Sequence, residues 1–310
     1  MKAVQIDQYG GTEVLQYRDV PDPVVVAGEI LVDIHATSLN FGDIKVRKGL
    51  RPAYVNLTGF PHTLGRDFSG VVRTVGSGVK EFRPGDNVFG VLDSLQEGAY
   101  AEMIAINSAL VARKPDALSH AEAVSVALTG LSALHSLEDA AKLKAGETIL
   151  IHGGSGGIGT FSVQYAKHVG ARVYTTASAR NHDYVRGLGA DVAIDYATED
   201  FVQLVPTCDV VFDMIGGDVQ RRSIDVLRPG GRIVIIAPST KDADGVRDDV
   251  TVLRPIVSRD RAHLERIASL VMSGAVHAPE ITRMPLSAVR SAHELAESRQ
   301  VKGKIVLEIR

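Results

Sequence analysis

The sequence predicts an α/β protein of two parts, a compact β-barrel-like domain and a doubly wound parallel sheet. Three observations carry this. At 310 residues and 45% hydrophobic content, the chain exceeds one ordinary core and suits two domains. Its opening third consists of short apolar runs divided by glycine and proline. From about residue 119 apolar strands alternate with amphipathic helices, the pattern of a parallel sheet covered on both faces.

The first part opens directly as a strand, Met1-Lys2-Ala3-Val4-Gln5-Ile6-Asp7. Strand-like runs follow at 29–34, 68–75, 86–92 and 100–106, with turn signals at Gly76-Ser77-Gly78 and Pro84-Gly85-Asp86. Ser119 then reads as a helix N-cap, with Glu122 completing a capping box, and a helical run extends to about 143. Strand–helix units succeed it: 148–152 with 158–169, 172–176 with 181–188, 192–195, 209–215 with 219–227, and 232–237. In the first of these helices Ile158, Phe161, Ser162, Tyr165, Ala166 and Val169 share one stripe, the spacing of a face packed on a sheet. A strand at 250–257 and a helix at 262–271 are expected to finish that sheet. The tail from about 276 returns to β character and is read as rejoining the first domain. The expected boundaries are 1–118 with 273–310 for the first domain and 119–272 for the second.

Composition excludes several classes. The formal net charge is −3 and no lysine- or arginine-rich run stands out, so nucleic acid is not an expected partner. No stretch approaches the roughly 20 apolar residues of a membrane span, and the N-terminus shows no signal or basic presequence. A cytoplasmic protein with no membrane partner is expected. Cys208 is the single cysteine, which rules out an internal disulfide and a cysteine-based zinc cluster.

The strand at 148–152 runs straight into Gly153-Gly154-Ser155-Gly156-Gly157-Ile158-Gly159 and then a helix. Gly154, Gly156 and Gly159 match the spacing of a dinucleotide turn. Such a turn must be tight, must let a pyrophosphate approach the backbone, and must aim free N–H groups of the helix at it. Ser155, Gly157 and Ile158 complete the expected cradle. A site for NAD ends its second strand on an acid that binds the ribose 2′-hydroxyl. Here Thr176-Ala177-Ser178-Ala179-Arg180-Asn181 holds none. Ser178 and Arg180 suit a 2′-phosphate, with Tyr196 as a phenolic donor or adenine platform. Arg180 also reads as a solvated helix-start residue, although a cation is disfavoured at that end of the dipole. NADPH is the expected cofactor.

Together these segments resemble the medium-chain dehydrogenase/reductase superfamily, in its zinc-free quinone oxidoreductase branch with the zeta-crystallin-like proteins. The resemblance rests on Met1-Lys2-Ala3-Val4, Ser38-Leu39-Asn40-Phe41-Gly42-Asp43, Leu64-Gly65-Arg66-Asp67-Phe68-Ser69-Gly70, the glycine loop, Leu188-Gly189-Ala190-Asp191 and Gly303-Lys304-Ile305-Val306-Leu307. It implies a GroES-like barrel followed by a Rossmann domain. Zinc-dependent relatives place a cysteine near 40–43 and a Gly-His-Glu near Gly65. This chain has Asn40 and Asp43, then Gly65-Arg66-Asp67, and a guanidinium at a ligand position repels a metal. The four-cysteine structural loop of those relatives is missing as well. No metal is expected.

Without a Lewis acid, hydride transfer from NADPH suits a quinone or activated enone, whose conjugated oxygen spreads the charge. That oxygen still needs donors. Asn40, Tyr54 and Arg66 are the candidates, with Tyr54 or water supplying a proton. Asp43 and Asp67 are read as orienting neighbours and the cofactor ribose. Arg66–Asp67 as a structural salt bridge and Tyr54 as a loop packing residue remain open. By the same resemblance Thr129 touches the nicotinamide carboxamide, and Ile215-Gly216 with Ala237-Pro238 line the cofactor. His62 and His152 are assigned to structure, and Cys208 to a small apolar role. A homodimer is expected, although Pro255 in the last strand of the nucleotide domain interrupts a continuous ladder across subunits. Two alternatives stand beside the quinone or enone reductase. One is a reductase of enoyl thioesters, for which Lys45, Arg47, Lys48 and Arg51 form a short basic run. The other is a non-catalytic NADPH-binding sensor or scaffold.

Overall fold

The computed structural model describes residues 1–50, 59–93, 96, 98–237 and 247–310. By its contacts the chain forms two units. One comprises Met1–Leu128, Ser258–Met272 and Ala278–Arg310; the other comprises Thr129–Val257 and Ser273–His277.

The first unit carries β1 (Lys2–Ile6), β2 (Gln16–Asp19), β3 (Glu29–Ser38), helix α1 (Phe41–Arg47), β4 (His62–Thr63) and β5 (Asp67–Val75). Strands β6 (Asn87–Val91), β7 (Met103–Asn107) and β8 (Val111–Arg113) follow, and helix α2 (His120–Leu134) begins in this unit. Along β3 the period of two sends Ile30, Val32 and Ile34 to one face. There they pack with Phe68, Val72, Val88, Ile104 and Ile106.

In the second unit, the strands are β9 (Thr148–His152), β10 (Arg172–Ala177), β11 (Val192–Asp195), β12 (Cys208–Asp213), β13 (Leu227–Ile235) and β14 (Thr251–Leu253). Helices α3 (Gly157–Val169), α4 (His182–Gly187), α5 (Phe201–Leu204) and α6 (Asp218–Ser223) connect them. The sheet is parallel throughout, in the order β11-β10-β9-β12-β13-β14. That is the doubly wound order, and the direction of winding reverses between β9 and β12. Helix α3 is buried on most of its circumference from Gly159 to Ala166, wider than the single stripe read from its spacing.

The chain then returns to the first unit through α7 (Arg261–Met272), β15 (Ile281–Pro285), α8 (Val289–Glu297) and β16 (Lys304–Glu308). Strand β16 lies antiparallel to β3, pairing Val306 with Ser38. The sequence reading groups α7 with the parallel sheet. In the structure Arg261 donates to Val111 O (2.9 Å), Ser108 O (2.6 Å) and Glu81 Oε1 (2.8 Å), all in the first unit.

Three element expectations need correction. The helical run expected to 143 is α-helical only to Leu134 and passes into a π turn over His135–Ala140. The helix expected over 219–227 ends at Ser223. Leu227 is already paired with Cys208, because the chain must extend before the Pro229-Gly230-Gly231 irregularity. The strand expected over 250–257 is only Thr251–Leu253, ending before Pro255, which has no N–H for a ladder.

Candidate active site

In the second unit the carboxyl end of β9 turns at Gly153, whose N–H donates to Thr176 O and to Thr176 Oγ1, both at 3.1 Å. His152, just before it, is buried between Thr176 Oγ1 (3.2 Å) and Ser223 Oγ (2.9 Å). Burial pushes its pKa down to about 3, so the ring is neutral and structural.

The turn admits no side chains at two places. A Cβ on Gly154 would stand 2.1 Å from Thr175 Oγ1, and one on Gly159 would stand 2.2 Å from Gly153 O. At Gly156 the nearest atom would be 3.6 Å away. Gly156 is the extended N-cap of α3, and its side-chain position offers no cap. The first-turn N–H groups of a 13-residue helix, at Gly157, Ile158 and Gly159, are therefore available to an anion. This fits a pyrophosphate.

Around the end of β10 the remaining candidates gather. Ser178 is half-buried, Arg180 exposed and Tyr196 65% exposed. Asn181 donates from Nδ2 to Ser155 Oγ (3.1 Å), joining the glycine loop to this second loop. Asp195, at the end of β11, is committed elsewhere, accepting from Ala197 N (3.2 Å) and Thr198 Oγ1 (2.9 Å). No carboxylate ends β10, so the surroundings suit a 2′-phosphate better than a 2′-hydroxyl. On the other side of β9, Ile215 is half-exposed, Gly216 adopts φ +81°, and Ala237 is buried after β13. Thr129 is buried within α2. Pro238 lies outside the described residues, as does Tyr54.

The first unit holds a separate buried polar cluster at the junction of β3, α1, β5 and β16. Asp67 accepts from Ser38 N (2.9 Å), Ser38 Oγ (2.8 Å) and Asn40 Nδ2 (3.1 Å). Asn40 Nδ2 also donates to Ser38 O (3.1 Å), and Lys304 Nζ donates to Asn40 Oδ1 (2.6 Å). Both amide hydrogens of Asn40 are thus engaged within the protein.

Asp43, fully buried, accepts from Asn40 N (2.8 Å) and from Tyr100 Oη (2.9 Å). Arg66 approaches it at 3.3 Å, with its guanidinium laid against Gly42, where a Cβ would meet Nη1 at 2.6 Å. The ion pair is therefore Arg66–Asp43, a correction to the Arg66–Asp67 bridge. Asp67 is the first residue of β5 and Arg66 precedes the strand, and the two side chains meet different partners. Burial raises the carboxyl of Asp67 above its ordinary range and lowers the ammonium of Lys304.

Lys304, Ser38 and Tyr100 received no role from the sequence. A lysine between Gly303 and the apolar run Ile305-Val306-Leu307 was the available signal for the first. His62 is buried on β4. Cys208 is buried with its thiol pushed up to about 12, which leaves it unreactive.

Residues 26–116 match the family described as alcohol dehydrogenase GroES-like domain, and residues 188–307 the family described as zinc-binding dehydrogenase. A quinone oxidoreductase of Pseudomonas aeruginosa is 31% identical, over 99% of this chain and 99% of its own. The structure of the quinone oxidoreductase from Coxiella burnetii superimposes with a TM-score of 0.93 at 36% identity, over 100% of this chain and 99% of that one. The Escherichia coli quinone oxidoreductase complexed with NADPH gives 0.89 at 29% identity, over 99% and 100%.

Proposed function

The chain belongs to the medium-chain dehydrogenase/reductase superfamily, and on that premise we propose that it is a zinc-independent oxidoreductase that uses NADPH to reduce a quinone or activated enone. The observation that carries the cofactor is the glycine turn after β9. It leaves no room for a Cβ at Gly154, against the Thr175 side chain, or at Gly159, against Gly153 O, and it opens on a helix with no side-chain cap. Gly154, Ser155, Gly156, Gly157, Ile158 and Gly159 would hold the pyrophosphate. Ser178, Arg180 and Tyr196 would hold the 2′-phosphate and adenosine. Thr129, Ile215, Gly216, Ala237 and Pro238 would line the nicotinamide end. When bound, NADPH supplies the two electrons that reduce the acceptor.

In the first unit we assign the donor to the acceptor oxygen to Arg66, with Tyr54 or water delivering the proton. Asp43 orients Arg66, and Asn40 with Asp67 fixes the start of α1 around them. Asn40 is thereby a positioning residue, since its own hydrogens are taken by Ser38 and Asp67.

The protein acts in the cytoplasm as a homodimer on this reading. No helix of the described residues is long and apolar enough to cross a membrane. Strand β14 ends the parallel sheet, and its far edge suits a second copy over Thr251–Leu253 alone, because the ladder stops before Pro255.

The test is a fluorescence titration with NADPH and NADH, followed by absorbance of the nicotinamide band with 1,4-benzoquinone and a simple enone. The expected result is NADPH binding at least tenfold tighter, a gap of about 1.4 kcal/mol, with turnover of an acceptor. Tight NADPH binding without turnover of either acceptor overturns the catalytic reading.

A further inference from the structure

The sheet order decides which half of a dinucleotide meets which loop. The pyrophosphate turn follows the central strand β9, and the Ser178–Arg180 loop follows β10 on one side of it. A dinucleotide seated that way sends its nicotinamide half to the other side, toward the loop that closes β12. We propose that Asp213, the last residue of β12, is a positioning residue for that half, acting by fixing the peptide of Ile215 and Gly216; this rests on the NADPH reading above.

Asp213 is fully buried at the strand end. Its Oδ1 accepts from Ile215 N (2.8 Å) and Gly216 N (3.0 Å), and its Oδ2 accepts from Gly216 N (3.2 Å). Its own carbonyl accepts from Ile236 N (3.1 Å), which ties the strand end to the residue just past β13. The turn it holds passes through left-handed backbone at Gly216 (φ +81°) and Gly217 (φ +62°), which favours glycine. Ile215, between the carboxylate and these glycines, is 54% exposed, and its Cδ1 lies 3.6 Å from where a Cβ on Gly153 would stand. The aliphatic side chain thus rests against the first residue of the pyrophosphate turn. It forms an apolar wall at the point where the winding of the sheet reverses. Burial raises the carboxyl of Asp213 above its ordinary range, while the two N–H bonds and Arg254 oppose the rise. The fold keeps a desolvated acid here, where a small apolar residue would fill the strand end but leave the N–H groups of Ile215 and Gly216 without an acceptor.

Three variants and two ligands test this. Asp213→Ala removes the acceptor, Asp213→Asn keeps an oxygen at the Oδ1 position, and Gly216→Ala distorts the same turn with the carboxylate intact. Each is titrated with NADPH and with 2′,5′-ADP, which carries only the adenosine half, and kcat is measured with a quinone. For Asp213→Ala and Gly216→Ala, NADPH affinity should fall about tenfold and kcat should fall with it. Affinity for 2′,5′-ADP should stay within about twofold, and Asp213→Asn should recover most of the loss. Equal weakening of both ligands, unchanged NADPH affinity, or Asp213→Asn as poor as Asp213→Ala overturns the proposal. Failure of the unaltered protein to bind 2′,5′-ADP at all would instead strike the NADPH reading itself.

Discussion

A methyl group added at Gly159 and one added at Gly156 meet different surroundings, and the difference separates folding from binding. At Gly159 the new carbon would stand 2.2 Å from a backbone oxygen of the same turn, so the turn itself must shift. Gly159→Ala should cost about 1–3 kcal/mol in urea unfolding and abolish NADPH binding. At Gly156 the nearest atom is 3.6 Å away, so Gly156→Ala meets no clash and should lose only the N-cap difference between glycine and alanine, about 0.5–1 kcal/mol in urea unfolding. It should still weaken NADPH more than tenfold, because the methyl enters the space the pyrophosphate needs. Equal stability losses in the two variants would remove this distinction. The glycines were legible in the sequence because spacing alone imposes them. The cluster around Asn40 was legible only as residue types. Which carboxylate Arg66 meets depends on how the chain enters β5, with Arg66 just before the strand and Asp67 its first residue, and Lys304 reaches Asn40 across 264 positions of sequence. Lys304→Met tests that contact. It removes the donor to Asn40 Oδ1 and the charge that opposes the burial of Asp67, so the variant should be less stable than the parent in urea unfolding near neutral pH. The sign with pH follows from the direction of the shift. Asp67 already sits above its ordinary range, and loss of Lys304 raises it further. The folded variant then binds a proton more tightly than its unfolded chain, so its deficit should shrink as pH falls from 8 toward 5. A deficit that grows on acidification would contradict the pairing.

At the scale of elements, local signals succeeded where the bonds that close an element are local. The capping box is the clearest case. Ser119 Oγ accepts from Glu122 N (3.2 Å), and the Glu122 carboxylate accepts from Ser119 N (2.8 Å), so α2 starts at His120. Ser119→Ala should therefore cost about 1 kcal/mol by chemical denaturation, and Ser119→Asp, which keeps an acceptor, much less. Equal losses in the two would deny the cap. Where an element is closed by a distant partner, the sequence misled. Ile224 and Leu227 keep the three-residue spacing of a helix face, yet Val226 O accepts from Cys208 N (2.8 Å) and draws the segment into the sheet. The last strand is short for a different reason. Beyond Leu253 the chain meets Pro255, and Ile256 is 90% exposed, so apolar character there reflects neither core nor ladder. The helix Arg261–Met272 has the spacing of a sheet-packing helix, and spacing carries no information about which sheet receives it. Its partner is chosen by Arg261, whose guanidinium reaches Glu81, Ser108 and Val111.

At the scale of the whole molecule, the function predicts what should and should not change stability. A cofactor that binds the folded chain and not the unfolded one stabilises it by mass action, about 2.7 kcal/mol at a hundred times its dissociation constant. NADPH at that level should raise Tm by several degrees, and NADH at the same concentration by less, because only NADPH presents the phosphate that Ser178 and Arg180 suit. A strong chelator should do neither. One cysteine, buried on β12 with its thiol pushed up to about 12, cannot serve as a ligand. The residues that the resemblance sets near the zinc positions of metal-dependent relatives are a fully engaged amide, Asn40, and a guanidinium, Arg66, which carries a positive charge. The measurement is a thermal melt and an NADPH–quinone assay, each before and after dialysis against the chelator. Unchanged Tm and rate, with the NADPH-induced shift intact, are the expected outcomes. A loss of rate on dialysis that zinc restores would mean that another acceptor chemistry operates, in which a metal polarises the substrate oxygen in place of Arg66.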